Sequence, residues 1–451
     1  MNEENLGKQT DTNVPVFRRL FFPLVIEQLF GMLLGSIDVL MLSQYSDASV
    51  AATGLSNQLI NVGLMILGIA SLGSGILLMQ TAGTRKNSEV NLIIRHGVYL
   101  NVYISLAMAV VFLIFGQQLL RWIQTPEDIL GSAYSYLAIV SVSLIFQSVM
   151  TSLGSVFRSF TYVRIVMVVS ILTNLLSILG NYTVLFTPIG LFGEGIHGVA
   201  NSTLFARFIG MLLLIIAFYY LLPKHRAAFS TLRMDSVTIK SVMKLGFPSA
   251  LENISYTTSQ TIITGIIASF GTMMVTSKIY TQNITGLVFT VAAAISQANQ
   301  IIIGRFIGLK QKDQARDYTV KLLIKSIAFA FVLSTLLALV SHWIVSWLTD
   351  DPVIRSSVIQ LIWLSILLEP GRLSNEILIG ALNTAGDVKF PTMISILSTF
   401  LFTIPMSYVV GVHFGFGLVG VWFIFILDEW VRAVVLFIRW MRSSWQSIEL
   451  F

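Results

Sequence analysis

Apolar positions in this chain gather into long runs, with polar residues crowded into the short connections between them. Twelve runs of roughly 20 residues or more, enough for a helix to cross a bilayer, occupy 20–42, 55–79, 98–119, 133–156, 165–186, 199–222, 248–270, 280–303, 326–348, 358–382, 391–412 and 418–437. Barrel strands would alternate and end after about 10 residues. The pattern therefore predicts an all-α polytopic membrane protein with twelve transmembrane helices.

The pattern also repeats at half its length. Arg19-Leu20-Phe21-Phe22-Pro23 followed by Glu27 recurs as Lys244-Leu245-Gly246-Phe247-Pro248 followed by Glu252. At the same offset Gly83 maps to Gly308, Arg164 to Lys389, and Ser170-Ile171-Leu172 to Ser395-Ile396-Leu397. Six spans separate the copies, so both enter the membrane from the same side. That predicts two six-helix lobes related by a parallel pseudo-twofold repeat, with the substrate path between them. The bland alternative is chance similarity among apolar segments, which several matches in register disfavour. The expected division is a cytoplasmic tail at 1–16, an N-lobe at 17–222, a basic cytoplasmic linker at 223–244, a C-lobe at 245–442 and a cytoplasmic C-terminal tail at 443–451.

Composition sharpens this. Of 451 residues, 55% are hydrophobic and 11% charged, and mean hydropathy is +0.81. Soluble domains carry about 25% charged residues, so lipid must solvate most of this chain. The net charge of +6 suggests nucleic acid only until its placement is seen. Arg121, Lys278 and Arg355 lie on one side and Arg207 and Arg372 within spans; the rest of the 28 basic residues fall at the termini or in the even-numbered loops. The positive-inside rule then puts both termini in the cytoplasm of a bacterial-type plasma membrane. Residues 1–16 are polar and partly acidic (Glu3, Glu4, Asp11), without the basic start or cleavage site of a signal peptide. Cysteine is absent, which removes disulfides, thiolate metal sites and thiol nucleophiles.

Ionisable residues within spans mark pathways or relays more often than packing, because each costs about 2.5 kcal/mol or more at mid-bilayer. Asp38 lies near the outer end of the first span. Asn174, Ser177 and Asn181 share one face of the fifth, with Asn181 at the depth of Asp38. A carboxylate beside these oxygens suits a proton or a hard monovalent cation such as Na⁺; alternatively the four simply tie two helices together. Glu27 and Glu252, repeat partners four residues after a proline early in its helix, either serve a cavity or brace the inner ends of their lobes. Glu369, Arg372 and Glu376 share a face in the tenth span, where an intrahelical Glu–Arg pair leaves one carboxylate in excess. Asp428, Glu429 and Arg432 read as a self-paired structural patch.

Histidines His96, His197, His225, His342 and His413 show no metal-ligand spacing, and the chain has neither a P-loop nor a nucleophile-elbow motif. No enzyme, cofactor or resident metal is expected, and transport would draw on an ion gradient. The sixteen Met and thirty Phe supply adaptable apolar surface for varied ligands.

Several segments resemble multidrug and toxic compound extrusion (MATE) transporters over nearly the whole chain. They are Pro23-Leu24-Val25-Ile26-Glu27, Gly35-Ser36-Ile37-Asp38-Val39-Leu40-Met41 and Ala51-Ala52-Thr53-Gly54-Leu55-Ser56. In the second half they are Gly246-Phe247-Pro248-Ser249-Ala250-Leu251-Glu252, Gln297-Ala298-Asn299-Gln300 with Gly304, Arg305 and Gly308, and Glu369-Pro370-Gly371-Arg372 with 381–387. The resemblance implies a two-lobed antiporter, taken to be a monomer, that expels amphipathic, cationic drugs or metabolites against H⁺ or Na⁺ by alternating access. Asp38 matches the family's first-helix acid, and Asn181 and Glu252 fall on recurrent polar positions. Arg372 stands where some members carry aspartate, and Lys278 enters an eighth helix that is usually uncharged there. The runner-up is a related lipid-linked oligosaccharide flippase, which Arg207 and Arg372 favour and the acid-rich interior does not. A third reading is an uncoupled membrane receptor or channel.

Overall fold

In the computed structural model, residues 13–81, 87–187, 191–231, 234–448 and 450 are described, with 13–16, Ser36 and Val39 as backbone alone. Expectations resting on residues 1–12, Gly83, Arg85, Lys86, Arg233, 449 and 451 lie outside the described residues. The helices are α1 Asn13–Tyr45, α2 Asp47–Thr81, α3 Asn87–Trp122, α4 Glu127–Ser159, α5 Val163–Phe186, α6 Gly195–Leu221, α7 Ser236–Ala268, α8 Thr272–Gly308, α9 Lys312–Leu348, α10 Pro352–Thr384, α11 Lys389–Leu397, α12 Ile404–Tyr408 and α13 Gly417–Met441. Two π turns, Ser398–Thr403 and Val409–His413, weld α11 and α12 into one run of membrane length. Among the described residues, twelve membrane-length elements result.

Ten of them are long and apolar enough to cross a bilayer on hydropathy alone. The other two, α7 and α13, are the ones diluted by polar residues: Glu252, Asn253 and a Tyr-Thr-Thr-Ser-Gln-Thr run in α7, and Asp428, Glu429 and Arg432 in α13. Large apolar side chains face outward along the helices, as at Ile114, Phe115, Leu339 and Leu401, an arrangement that only a lipid surround makes stable.

The helices outrun the apolar runs that predict them, because amphipathic turns continue them past the hydrocarbon. This corrects the placement of the two prolines. Pro23 and Pro248 lie well inside α1 and α7, not in a first turn. Each deprives the carbonyl four residues earlier, at Arg19 and Lys244, of its helical hydrogen bond, which weakens the helix there.

Two compact units emerge. One is Phe22–Ala250; the other is Leu251–Phe451 together with the described residues before Phe22. In the first, Leu67, Phe112, Leu137 and Leu144 form the core, and the Ser56 hydroxyl of α2 donates to the Ala133 carbonyl of α4 at 2.8 Å. There α7 crosses α2 backbone to backbone: a Cβ on Gly73 would lie 2.0 Å from the Val242 carbonyl oxygen, and one on Gly246 would lie 1.8 Å from that of Ile69. Glycine is the one residue that permits this approach. In the second unit Ile377, Leu382, Leu436 and Trp440 form the core with Phe17 and Phe21 packed on it, and Trp440 stacks on Trp445 with ring centroids 4.2 Å apart. Asp351 caps α10 by accepting from the Val353 and Ile354 amides at 2.8 and 3.0 Å, with Pro352 in the first turn where its missing N–H costs nothing.

The segment after α6 folds as a 3₁₀ turn, Pro223–Phe229, docked on α3. Arg95 Nε donates to the Ala228 carbonyl at 2.7 Å, and His225 Nδ1 lies 2.7 Å from Asn91 Oδ1 with its ring against Phe160. Burial, reinforced by the adjacent Lys224 ammonium, holds the His225 pKa below the usual histidine value.

Candidate functional site

Each unit holds its own polar interior. In the unit Phe22–Ala250, α1 carries Asp38 and α5 carries Asn181, whose Nδ2 donates to Asp38 Oδ1 at 3.0 Å. Asn181 is 3% exposed, and its Oδ1 is buried without a hydrogen-bond partner among the described residues. Ser177 and Asn174 follow inward on α5, half-buried. Among the described residues, hydrogen bonding ties Asp38 to Asn181 and not to either of these. The Ser177 carbonyl instead accepts from Ser202 Oγ of α6 at 3.0 Å. Asp38 has no ion-pair partner among the described residues. The pair thus presents a carboxylate and an orphaned amide oxygen side by side, a donor set that suits a proton or a hard cation.

Two neighbours enlarge this cluster. Tyr136 of α4, 7% exposed, stands near Asp38, Arg207 of α6 and the Asn57 side chain of α2. Arg207 Nη1 donates to Ser143 Oγ at 2.7 Å. Sequence reasoning missed Tyr136 and Asn57, since neutral polar residues inside apolar runs carry no charge to mark them.

Glu27 is engaged otherwise: Arg158 Nη2 of α4 meets its Oε1 at 2.5 Å. Its repeat partner Glu252 accepts from Ser395 Oγ at 2.7 Å. The symmetry of the two acids ends at their partners, because the repeat places Asn383 where Arg158 would recur.

In the unit Leu251–Phe451 a chain of charges runs between α10 and α13. Arg372 Nη1 donates to Glu369 Oε1 at 3.0 Å, and its Nε lies 3.9 Å from Glu429 Oε1. Arg432 Nη2 bridges Asp428 at 2.8 Å and Glu429 at 3.0 Å. Asn375 Nδ2 donates to the Glu429 carbonyl at 2.7 Å and to Oε2 at 2.6 Å, and Ser398 Oγ donates to Asp428 Oδ1. Glu429 is therefore the hub, which spacing along single helices could not reveal. Glu376, on the same face of α10, has no ion-pair partner among the described residues. The π turn Ser398–Thr403 rotates Ser398, Thr399 and Thr403 toward these charges; such turns often occur at functional positions.

These residues flank a small cavity lined by Tyr256, Gln260, Arg372, Thr403, Phe425 and Arg432 among others. Lys278 lies beside it, 2% exposed, with Nζ donating to Thr264 Oγ1 at 2.5 Å and to the Gln260 carbonyl at 3.3 Å. Arg372 also lies over the Phe289 ring, 5.8 Å from its centroid. An aromatic wall beside carboxylates and guanidinium groups suits an amphipathic ligand.

The MatE family profile matches residues 23–183 and 248–409, one segment in each half. A protein of Bacillus subtilis, the uncharacterized transporter YisQ, is 36% identical over 98% of this chain and 96% of its own. The probable multidrug resistance protein NorM of Thermotoga maritima is 24% identical over 95% and 92%. A crystal structure of MATE in complex with MaD3S superposes with a TM-score of 0.86 at 17% identity, over 95% of this chain and 96% of that one. With the profile spanning both halves and a relative similar over nearly its full length, this chain belongs to the MATE family of membrane transporters.

Proposed function

We propose that the protein is a secondary antiporter that exports amphipathic organic cations across a bacterial-type plasma membrane in exchange for H⁺ or Na⁺. The observation that carries the reading is the Asp38–Asn181 pair: a carboxylate without a basic partner among the described residues, held at 3.0 Å by one amide. Filling that site neutralises the carboxylate and changes what α1 and α5 prefer, and a ligand shifts an equilibrium only through such a difference. Asn174 and Ser177 continue the polar face inward and supply oxygens on the ion's route.

Glu252, Glu369, Arg372 and Glu376 belong to the second-lobe cavity: with Asp428 and Glu429 their carboxylates outnumber the cations Arg372, Arg432 and Lys278 around it, and Tyr256 and Phe425 offer apolar faces. That balance favours a cationic amphiphile over the pyrophosphate of a lipid-linked sugar. Glu27, tied to Arg158, braces its own unit. The lobes are 17–222 and 245–442, the linker is 223–244, and both termini face the cytoplasm, as loop charge requires. Both lobes alternate access to the cavity without help from a second subunit.

Ethidium efflux from proteoliposomes under an imposed Na⁺ or pH gradient tests this. Gradient-driven efflux is expected from the intact chain and not from Asp38→Asn. Equal efflux from the two removes Asp38 from coupling.

A further inference from the structure

The segment between α6 and α7 is fastened to α3 at three points. His225 Nδ1 lies 2.7 Å from Asn91 Oδ1, Arg95 donates to the Ala228 carbonyl at 2.7 Å, and His96 meets the backbone of Asp235, the residue before α7. The first two tolerate a proton: an amide oxygen accepts from a neutral or a charged imidazole, and a guanidinium stays charged. The third does not. His96 Nδ1 lies 2.7 Å from the Leu92 carbonyl oxygen, which only accepts, so Nδ1 carries the hydrogen. Nε2 is then the acceptor, and the Asp235 N–H donates to it at 2.5 Å. Both nitrogens are committed in the neutral ring, and a proton on Nε2 sets donor against donor.

Asp235 is committed in a second way. Its carboxylate caps α7, accepting from the Thr238 amide at 2.9 Å and the Thr238 hydroxyl at 2.8 Å. Those bonds hold its carboxyl below the usual carboxylate range, so it stays ionised in mildly acidic solution. To neutralise a charged His96 ring, the carboxylate must leave the cap; to keep the cap, the amide must leave the ring. Either way the start of α7 is unseated. The elements packed on α3 at this end are α2, α4 and the 3₁₀ turn. Among the described residues α2 brings no charged side chain there, and α4 brings Arg158, held by Glu27. The turn brings Lys224 and Arg226, the latter on the Tyr219 carbonyl. From α7 comes Lys240, and from α3 itself Arg95 and, two turns away, Glu89. His96 is fully buried but Asp235 is exposed, so a local opening at that edge admits a proton.

We propose that His96 and Asp235 form a pH-sensitive clasp that holds the start of α7 on α3 and releases it when the cytoplasm turns acidic. With His96 neutral the clasp is closed; with His96 charged it opens. Its hold therefore weakens as the pH falls through the ordinary histidine range, about 6.5. Asn91 and Arg95 keep the 3₁₀ turn docked meanwhile, so the release is confined to the stretch after it and the first turns of α7. Further along, the close crossing at Gly246 and Gly73 still holds the helix. Because α7 carries the chain from one unit into the next, the clasp is a sensor of cytoplasmic pH separate from the ion site at Asp38. Of the proposed function it needs only the cytoplasmic placing of 223–244, which thiol labelling tests independently.

The chain has no cysteine, so a spin label attached through Val237→Cys, an exposed position in the first turn of α7, reports on this segment alone. In the purified full chain the label's mobility should rise several-fold between about pH 7.5 and about pH 5.5. His96→Gln, neutral throughout and still able to accept from the Asp235 amide, should abolish that step. His225→Gln should keep it. Unchanged mobility across the interval, with both histidines in place, overturns the clasp. So does a step that persists in His96→Gln or vanishes in His225→Gln. If His96→Gln does not assemble, His225→Gln carries the test: a step that survives there supports the clasp, and a step lost there overturns it. Efflux from Asp38→Asn bears on the coupling site and leaves the label's response unchanged.

Discussion

Asn181 donates a hydrogen bond to Asp38 across 3.0 Å, while its own Oδ1 stays buried without a partner among the described residues. A buried polar atom left without a partner costs about 1–3 kcal/mol, so this oxygen is held in place at the expense of stability. Asp38→Asn should insert and fold like the wild type, since size and hydrogen bonding persist, while gradient-driven efflux is lost. Asn181→Leu should keep the carboxylate but weaken the response to the driving ion several-fold. Efflux against external ion concentration separates the two.

Arg372 joins Glu369 and Glu429 with 15% of its side chain exposed. Removing one member of a buried pair costs about 3–5 kcal/mol, because the other charge stays buried alone. Arg372→Ala should therefore lower the thermal stability of the purified protein sharply. Adding Glu369→Gln should restore folding. If Arg372 serves only Glu369, transport returns with the fold; if it touches substrate, the double variant folds and does not transport.

Much of the architecture was readable from hydropathy. The twelve apolar runs lie on the membrane-length helices, because a backbone in lipid must satisfy its hydrogen bonds within each segment. The depth match on α1 and α5 placed Asp38 near Asn181, and spacing on α10 paired Glu369 with Arg372. The contacts that escaped join residues far apart in the chain. Arg158 to Glu27, Ser395 to Glu252 and Asn375 to Glu429 each depend on how helices rotate about their own axes, which apolar runs buried on every side do not specify. The π turns escaped for the same reason, as did the burial of Lys278.

The crossing of α7 over α2 has a sharp steric signature. Gly246→Ala would place a methyl group 1.8 Å from the Ile69 carbonyl oxygen, and neither backbone can yield without moving a helix. That variant should be lost from the membrane fraction or unfold far below the wild type. Gly31→Ala, with nothing within 4 Å of the added carbon, should be tolerated. Expression with a fluorescence-tagged chain and a melting curve distinguishes them.

Loop charge makes a topological prediction that a cysteine-free chain allows to be checked directly. Single cysteines at Ser46 and Gly271 should react with an impermeant thiol reagent from outside, and those at Ser88 and Ser230 should not. Gly271, Ser88 and Ser230 are exposed and Ser46 is half-buried. Outside labelling of Ser88 would reverse the assigned orientation.

His225 gives the docked turn a pH dependence. Its pKa is depressed in the folded protein, so the unfolded chain binds the proton more readily. Stability is then full above about pH 6.5 and declines as the pH falls through the folded value. Melting temperatures compared at about pH 7.5 and about pH 5.5 should show the decline, and His225→Gln should flatten the part that belongs to this residue.

The π turn at Ser398–Thr403 amounts to one surplus residue, and the internal duplication records it. Before the turn, Ser170 pairs with Ser395; after it, Tyr182 pairs with Tyr408 and Val184 with Val410, a register longer by one. The counterpart of Asn181 is then Ser407, fully buried with its hydroxyl unpartnered among the described residues, and the counterpart of Asp38 is Ile263, buried in an apolar cluster. The duplicated scaffold thus keeps its oxygen on one helix and has exchanged the acid on the other for a hydrocarbon. If Asp38 seats the coupling ion as proposed, the matching place in the other copy offers that ion no carboxylate.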